Sequence, residues 1–386
     1  MLLAPAEFST LPQRFNLFQS GFWAFFRNGG TNRSFAFIVD PGGGRPSFPL
    51  VLIARGGVSD NRYAYAPHGP DLPLDEGDRG LFLEELSLSL QKVLPPGLSC
   101  IRYDLPFLSP YTDSEFWTAT GQWKGAPRPE LRELRMNYGT RLRLLRKAPL
   151  DHFSPDTVII SLREAEEVIL SRMRQTTRNC VRKSLKSGLS FRVAGAEALP
   201  VWHELYSETA RRKGFYFEGL AYFEKLFRDA EKFADLSRAS GSPASAAVSD
   251  CSSTIGDSPA GGNPVPRFFV LLAELEGVPL AGIILGVCGT RGYYLYAGSS
   301  SERRDAMPNY GLQWEAIKLL KSMGCLEYDL MGVPPNGDPG HSMYGLYTFK
   351  TGLGGKIIHY AGCWDFPLDS DRYEHQRNAE NLGGIR

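Results

Sequence analysis

Between Phe268 and Ser299 the chain has little choice but to form sheet. Three apolar strand-like runs follow one another there: FFVLLAEL, LAGIILGVC and GYYLYAGS. The first two are joined across Glu276–Pro279, and the spacing then predicts a helix over Tyr310–Met323 and a strand over Leu326–Leu330. Apolar strands in series must bury at least one face, and the helices alternating with them supply the cover. The expected fold class is therefore α/β (α+β), with mixed sheets in layers. The same stretch excludes a membrane span, because Glu274, Glu276, Gly277 and Pro279 interrupt what would have to be about 18 to 20 apolar residues.

The alternation continues elsewhere. A helix is predicted near Gln19 (SGFWAFFR), with strands at Ser34–Val39 and Leu50–Ala54 joined through the Gly/Pro-rich loop Pro41–Pro49. A helix from Leu81 (LFLEELSLSLQKVL) precedes a strand at Ser99–Asp104. TVIISL (157–162) reads as a strand, and Ser161 with Glu164 as a capping box opening one helical run to about Lys186. Helices are predicted at Leu199–Arg212, Ala221–Lys232 and Gly345–Thr351. At about 150 residues per domain, a chain of 386 residues divides into two or three units. The segment 239–266, rich in Ser, Ala, Gly and Pro, cannot bury enough surface to offset its ordering entropy. It reads as a disordered insertion in a surface loop.

Charge and cysteine usage narrow the function classes. Forty-three basic against forty-two acidic side chains leave a net charge of +1, which argues against a globally cationic nucleic-acid binder but permits a local patch. The opening MLLAPAEFSTLPQRF lacks a basic segment ahead of an apolar core, so no signal peptide is expected. Six cysteines without CxxC spacing, and six histidines without HxxxH or HExxH, predict neither a disulfide framework nor a zinc site. A cytoplasmic location is the expectation.

Phosphate-cradling loops are missing. There is no G-x-x-x-x-G-K-[ST], no convincing G-x-G-x-x-G after a strand, no G-x-S-x-G elbow and no R/Q-x-x-G-x-G/A turn of the kind that holds a coenzyme A pyrophosphate. Basic patterning is present instead. Arg174, Arg178, Arg182 and Lys186 recur every four residues on one predicted helix, drifting about 40° per step. Such a stripe can neutralise phosphates, or can simply be a solvated helix face. A second stretch, Arg128–Lys147, carries seven positive and two negative charges. Lys350, beside Phe349 in GLYTFKTGLGG, can point into a cleft and hold a developing oxyanion, or can serve the helix dipole and solvent. Asp104, ending SCIRYD, can accept a proton from an attacking amine or be a strand-end turn residue. Strict alternation puts Tyr294 and Tyr296 on one face and Tyr293 on the other, for core packing or for ligand contact.

In order along the chain, FQSGFWAFFR, IRYD, TVIISL…TTRNCVRKSLKSG, ELYSETARRKGFYF…AYF, LYAGSS…YGLQWEAIKLLKSMGCLEYDLMG and GLYTFKTGLGGKIIHYAGCWDFPL resemble the Fem (FemABX-like) family of peptidoglycan-bridge aminoacyltransferases. The resemblance spans nearly the whole chain. It implies two tandem GNAT-like N-acyltransferase domains: 1–150, completed by 355–386, and 151–354. No coiled-coil arm is implied, since the run from Ser161 to Phe223 has no room for one. The implied reaction moves an amino acid from aminoacyl-tRNA to the stem-peptide amine of a peptidoglycan precursor, either lipid II or the UDP-linked muramoyl pentapeptide. No metal or other cofactor is implied. Peripheral contact with the inner membrane surface is an expected partner interaction.

Residue by residue, the resemblance makes Lys350 and Asp104 the catalytic pair, serving one ester and one incoming amine. Phe349, Tyr222 and Tyr296 become substrate-lining residues, and Arg174, Arg178, Arg182 and Lys186 contact the tRNA backbone. Arg27 stands where the family carries a lysine toward the precursor diphosphate; the exchange keeps the charge and adds a fork suited to phosphate. Glu218 departs from the pattern, reversing the charge of an arginine that clamps phosphate in a related enzyme. Arg211, Arg212 or Lys213 lies close enough in sequence to compensate, or the acceptor is the lipid-linked form. Two other readings fit the residues: a GNAT-type acyltransferase using another donor on a small amine, and a non-catalytic protein that binds tRNA or wall precursor.

Overall fold

The structure is a computed structural model and describes residues 1–12, 16–56, 62–71, 76–109, 136–240 and 265–383. Most of the expected insertion, and residues 128–135 of the second basic stretch, lie outside the described residues. The chain opens with β1 (Leu2–Pro5), α1 (Gly21–Arg27), β2 (Arg33–Asp40), β3 (Phe48–Gly56) and β4 (Arg62–Ala66). Helix α2 (Glu76–Gln91) leads to β5 (Leu98–Leu108), followed by β6 (Arg146–Lys147) and β7 (Asp156–Ser161). Then come α3 (Glu166–Arg172), α4 (Gln175–Lys186), β8 (Leu189–Ala194), α5 (Leu199–Lys213) and α6 (Leu220–Ala239). Strands β9 (Arg267–Leu275), β10 (Val278–Cys288) and β11 (Arg291–Ser299) precede α7 (Pro308–Ser322) and β12 (Glu327–Gly332). Helix α8 (Tyr344–Gly352), β13 (Lys356–Pro367) and α9 (Ser370–Gly383) complete the order.

These elements form two compact units: Met1–Pro155 with His359–Arg386, and Asp156–Ile358. In the first unit the strand order is β1-β2-β3-β4-β5-β13, with β6 pairing β13; every pair is antiparallel except β4 and β5. In the second it is β7-β12-β11-β10-β9-β8, antiparallel except for β11 and β12. The plans match. Each is a four-stranded antiparallel meander whose first connection carries helices (α1, or α5 and α6). A further helix (α2 or α7) then leads to a strand parallel to the fourth, as a parallel pair requires. No repeat of letters announces this repeat of plan. The fold is α/β with mixed sheets, as the alternation predicts.

Local chemistry explains why FQSGFW starts as it does. The Ser20 hydroxyl accepts the Trp23 amide and so caps α1. β3 pairs with β4 only from Ile53 onward, so Val51 has no strand partner on that side. The Gln19 side chain substitutes: its Oε1 accepts the Val51 amide at 2.9 Å, and its Nε2 donates to the Pro67 carbonyl at 2.7 Å. These two residues are structural. The first core lies where Phe82, Leu83, Leu86 and Leu90 of α2, at helical spacing, meet Leu50, Leu52, Ile101, Tyr103, Trp364 and Phe366. Gly80 permits the approach of the following segment, since a Cβ there would sit 1.9 Å from the Tyr138 carbonyl oxygen. Helix α9 is held by Arg102, which is buried and bonds to Asp365 at 2.7 and 2.8 Å and to Glu380 at 2.8 Å.

In the second unit, Val181 of α4 and Leu312, Ala316, Ile317 and Leu320 of α7 pack on Leu271, Ala273, Ala281, Ile283 and Leu285. Helix α5 packs against β10 and β11, and at Gly298 it lies so close that a Cβ would fall 2.3 Å from the Tyr206 amide nitrogen.

Three local expectations fail. Ser161 and Glu164 do not form a capping box: the Ser161 hydroxyl donates to Glu164 itself, which also pairs with Arg172, and α3 begins after Ala165 without a side-chain cap. The single helical run is two helices, broken at Met173–Arg174, where both residues have extended ψ values. The tyrosine alternation is interrupted by a β-bulge: Tyr294 opposes Leu285 but Tyr296 opposes Ile284, so Leu295 is extra. Directly paired residues share a face, so Tyr294 lies on the α7 side and Tyr296 on the α5 side.

The run from Ser161 to Phe223 holds helices of seven, twelve and fifteen residues before α6 begins, and no coiled-coil arm. Among the described residues no helix is long and apolar enough to cross a membrane.

Candidate active site

In the second unit, the parallel strands β11 and β12 pair over only three positions, Arg291–Tyr293 with Glu327–Asp329, and then part. β11 continues along β10, while β12 shifts register against β7 between Asp329 and Gly332. The departure is held by Asp329, which is buried: its Oδ1 accepts the Met331 amide at 2.8 Å and the Thr157 hydroxyl. Met331 itself sits at φ +58°, a left-handed conformation uncommon for a side-chain-bearing residue. Its carbonyl and that of Gly332 leave the ladder as acceptors.

Lys350 takes both. From the last turn of α8 its Nζ donates to Gly332 O at 2.8 Å and Met331 O at 3.3 Å, and stands 5.4 Å from the centre of the Tyr294 ring. The residue is only 6% exposed, which overturns the reading of a helix-end lysine serving solvent. Burial lowers its pKa to about 8, and Asp329 opposes that shift. An ammonium has three donors, so two carbonyls leave one for an incoming oxygen. Phe349 meets the Tyr310 ring edge-on at 5.1 Å and packs against the second core.

The basic stripe adjoins this helix. Gly352, at the end of α8, accepts the Arg174 amide at 2.9 Å, and a Cβ on Gly352 would lie 2.5 Å from the Thr177 hydroxyl. Around α4, Thr177, Val181 and Ser184 face inward. Arg174, Arg182 and Lys186 are exposed. Arg178 is used differently: its guanidinium turns back to Ser171 O at 2.8 Å, to Met173 O and to Gln175, tying the break between α3 and α4.

Tyr222, opening α6, and Tyr296 have their hydroxyls 3.3 Å apart. Phe223, Tyr206 and Trp202 pack around them. The bulge keeps this aromatic group and Lys350 on opposite faces of β11. Glu218 is half-buried and its carbonyl meets His203 Nε2 at 3.1 Å. Arg212 is bonded to Glu208, Ser301 and the Ser299 carbonyl, while Arg211 and Lys213 are exposed.

Asp104 and Arg27 belong to the first unit. Asp104 follows the last paired residue of its own parallel pair, Tyr103 with Ala66, and is buried. Its Oδ2 accepts the Tyr65 hydroxyl at 2.9 Å. Burial raises its pKa to about 7, with Tyr65 pulling the other way. Beside Tyr65, the His152 ring is kept neutral by burial, its pKa lowered to about 3, and bonds to the Tyr63 hydroxyl at 2.7 Å. Arg27 ends α1, half-buried, with its guanidinium 6.0 Å from the Phe26 ring centre.

Sequence reasoning missed Tyr294 as the ring over Lys350, and missed Asp329, Thr157 and Tyr65. Asp329 lies within LEYDLMG, so the motif was visible while the residue's task was not. Among the described residues no cluster of His, Cys, Asp and Glu could hold a metal ion.

A curated relative named lipid II:glycine glycyltransferase, from Staphylococcus saprophyticus, is 26% identical over 260 residues, covering 60% of this chain and 63% of that protein. A protein of the same name from Staphylococcus aureus is 26% identical over 263 residues, covering 58% and 62%. The chain thus spans somewhat over six-tenths of the length of these relatives. The crystal structure of FemX superposes with a TM-score of 0.70 at 18% identity, over 97% of this chain and 99% of that one, which shows a shared fold. The FemAB family model matches residues 152–238 and 272–381, just over half of the chain, taking in the basic helix, the splayed strands and the helix of Lys350. On that match, the chain belongs to the FemAB family.

Proposed function

We propose that this chain transfers an aminoacyl group from aminoacyl-tRNA to the stem-peptide amine of a peptidoglycan precursor, with no cofactor beyond the tRNA co-substrate. The observation that carries the reading is Lys350: a buried ammonium seated on the Met331 and Gly332 carbonyls, on a helix that docks against the start of α4. An aminoacyl ester is already activated, so the catalyst has chiefly to align an amine with its carbonyl. The Lys350 cation would stabilise the oxyanion of the tetrahedral intermediate. The amide C–N bond forms, the ester C–O bond breaks, and the proton given up by the amine ends on the departing ribose oxygen. The amine's proton needs an acceptor, and Asp104, raised to about 7, has an affinity suited to that task.

The basic residues Arg174, Arg182 and Lys186 suit the tRNA backbone, and Arg27, Tyr222, Tyr296 and Phe349 are proposed substrate contacts. The names of the relatives support lipid II as the acceptor. The test is transfer of radiolabelled amino acid from charged tRNA to lipid II and, separately, to the UDP-linked muramoyl pentapeptide. Label entering one of them is the expected result. Folded protein that labels neither with any charged tRNA, or that binds coenzyme A saturably instead, would remove this reading.

A further inference from the structure

Helix α5 ends at Gly214, whose φ of +70° turns the chain; the Gly214 and Phe215 amides both return to the Ala210 carbonyl. The segment that follows, Phe215-Tyr216-Phe217-Glu218-Gly219, is anchored on α5 by ring contacts of Phe215 with Tyr206 and of Phe217 with Tyr206 and His203. Tyr216 nevertheless stands 86% exposed and Phe215 43% exposed. Arg211 and Lys213 flank this tip in solvent, while Arg212 is occupied by Glu208 and the Ser299 carbonyl. Glu218 is half-buried beside His203.

We propose that this tip is a docking surface for a bilayer bearing anionic headgroups: the Tyr216 and Phe215 rings enter the interfacial region and the Arg211 and Lys213 cations meet the headgroups. Aromatic rings at headgroup depth with flanking basic side chains are how a peripheral segment couples apolar insertion to surface charge. An RNA backbone is a poorer match, since Phe215 offers no polar group and the continuous basic stripe lies elsewhere, on α4. The site's use rests on the transfer proposed above, which it makes more specific. Tyr222 follows Tyr216 by six residues and faces Tyr296, so a tip seated on the bilayer would present that pair to an acceptor carried on a lipid.

The test is co-sedimentation of the full chain with vesicles of phosphatidylcholine alone or mixed with phosphatidylglycerol. Binding to the mixed vesicles that weakens with salt is expected. Each basic residue neutralised should cost roughly fivefold in partitioning, so Arg211→Ser with Lys213→Ser should lose at least about tenfold. Tyr216→Ser, which removes the 86% exposed ring and none of the anchoring ring contacts, should lose binding several-fold while keeping the wild-type melting temperature. Wild-type protein that ignores both vesicle types, or variants that bind as well as wild type, would overturn the proposal. So would variants that keep vesicle binding and lose tRNA binding, which would mark an RNA surface. No transfer step enters this readout, so its failure is separable from failure of the enzymatic reading.

Discussion

Lys350 and Asp104 are both buried ionisable groups whose surroundings oppose their usual charge, and such perturbation is characteristic of working sites. For Lys350 the folded pKa, about 8, lies below the ordinary lysine value, so the cation is present below pH 8 and lost above it. Oxyanion support should therefore decline as pH rises through 8. Lys350→Arg should retain its charge and flatten that alkaline limb in single-turnover transfer. Lys350→Met should slow transfer at least about tenfold at neutral pH. A wild-type rate constant from pH 7 to 9.5 would contradict the cationic role. For Asp104 the folded pKa, about 7, is raised above the unfolded value, so ionisation costs stability between about pH 4 and 7, and that cost is complete above 7. Asp104→Asn should raise the melting temperature more at pH 8 than at pH 5, while slowing transfer; equal shifts at the two pH values would contradict this assignment.

Helix α4 leaves Arg182 and Lys186 exposed while Arg178 turns back onto the Ser171 and Met173 carbonyls. Removing Arg182 and Lys186 should weaken tRNA binding and flatten the dependence of log K on log salt by roughly one unit for each side chain, read by filter binding across a salt series. Arg178→Ser should instead lower thermal stability, because its guanidinium ties the break between α3 and α4. An Arg178 variant with wild-type stability and the largest tRNA defect would reverse that division. The elements also show which parts of the fold were legible. Strands β9 to β11 and helix α7 stand out in the letters because apolar period and length agree. Helix α9 does not, because the residues it turns inward include Gln376 and Glu380, bonded to Ser99 and Arg102. A helix buried through polar contacts leaves no apolar period to read. The bulge at Leu295 was equally hidden, and with it the fact that Tyr294, not Tyr296, joins Lys350.

Across the whole molecule, one plan occurs twice, and each occurrence places a buried ionisable group where a parallel strand pair ends: Asp104 after β4 and β5 part, Lys350 on the carbonyls freed as β12 leaves β11. Strand parting of this kind cannot be read from composition. The order of motifs along the chain marks Asp104 and Lys350, while their environments exist only in the fold. Mass spectrometry of muropeptides from cells with and without this protein decides whether an amino acid is added to a stem peptide through Lys350. Loss of aminoacyl mass from the stem-peptide amine is expected, restored by the wild-type chain and not by Lys350→Met. Unchanged muropeptides, or full restoration by Lys350→Met, would contradict it.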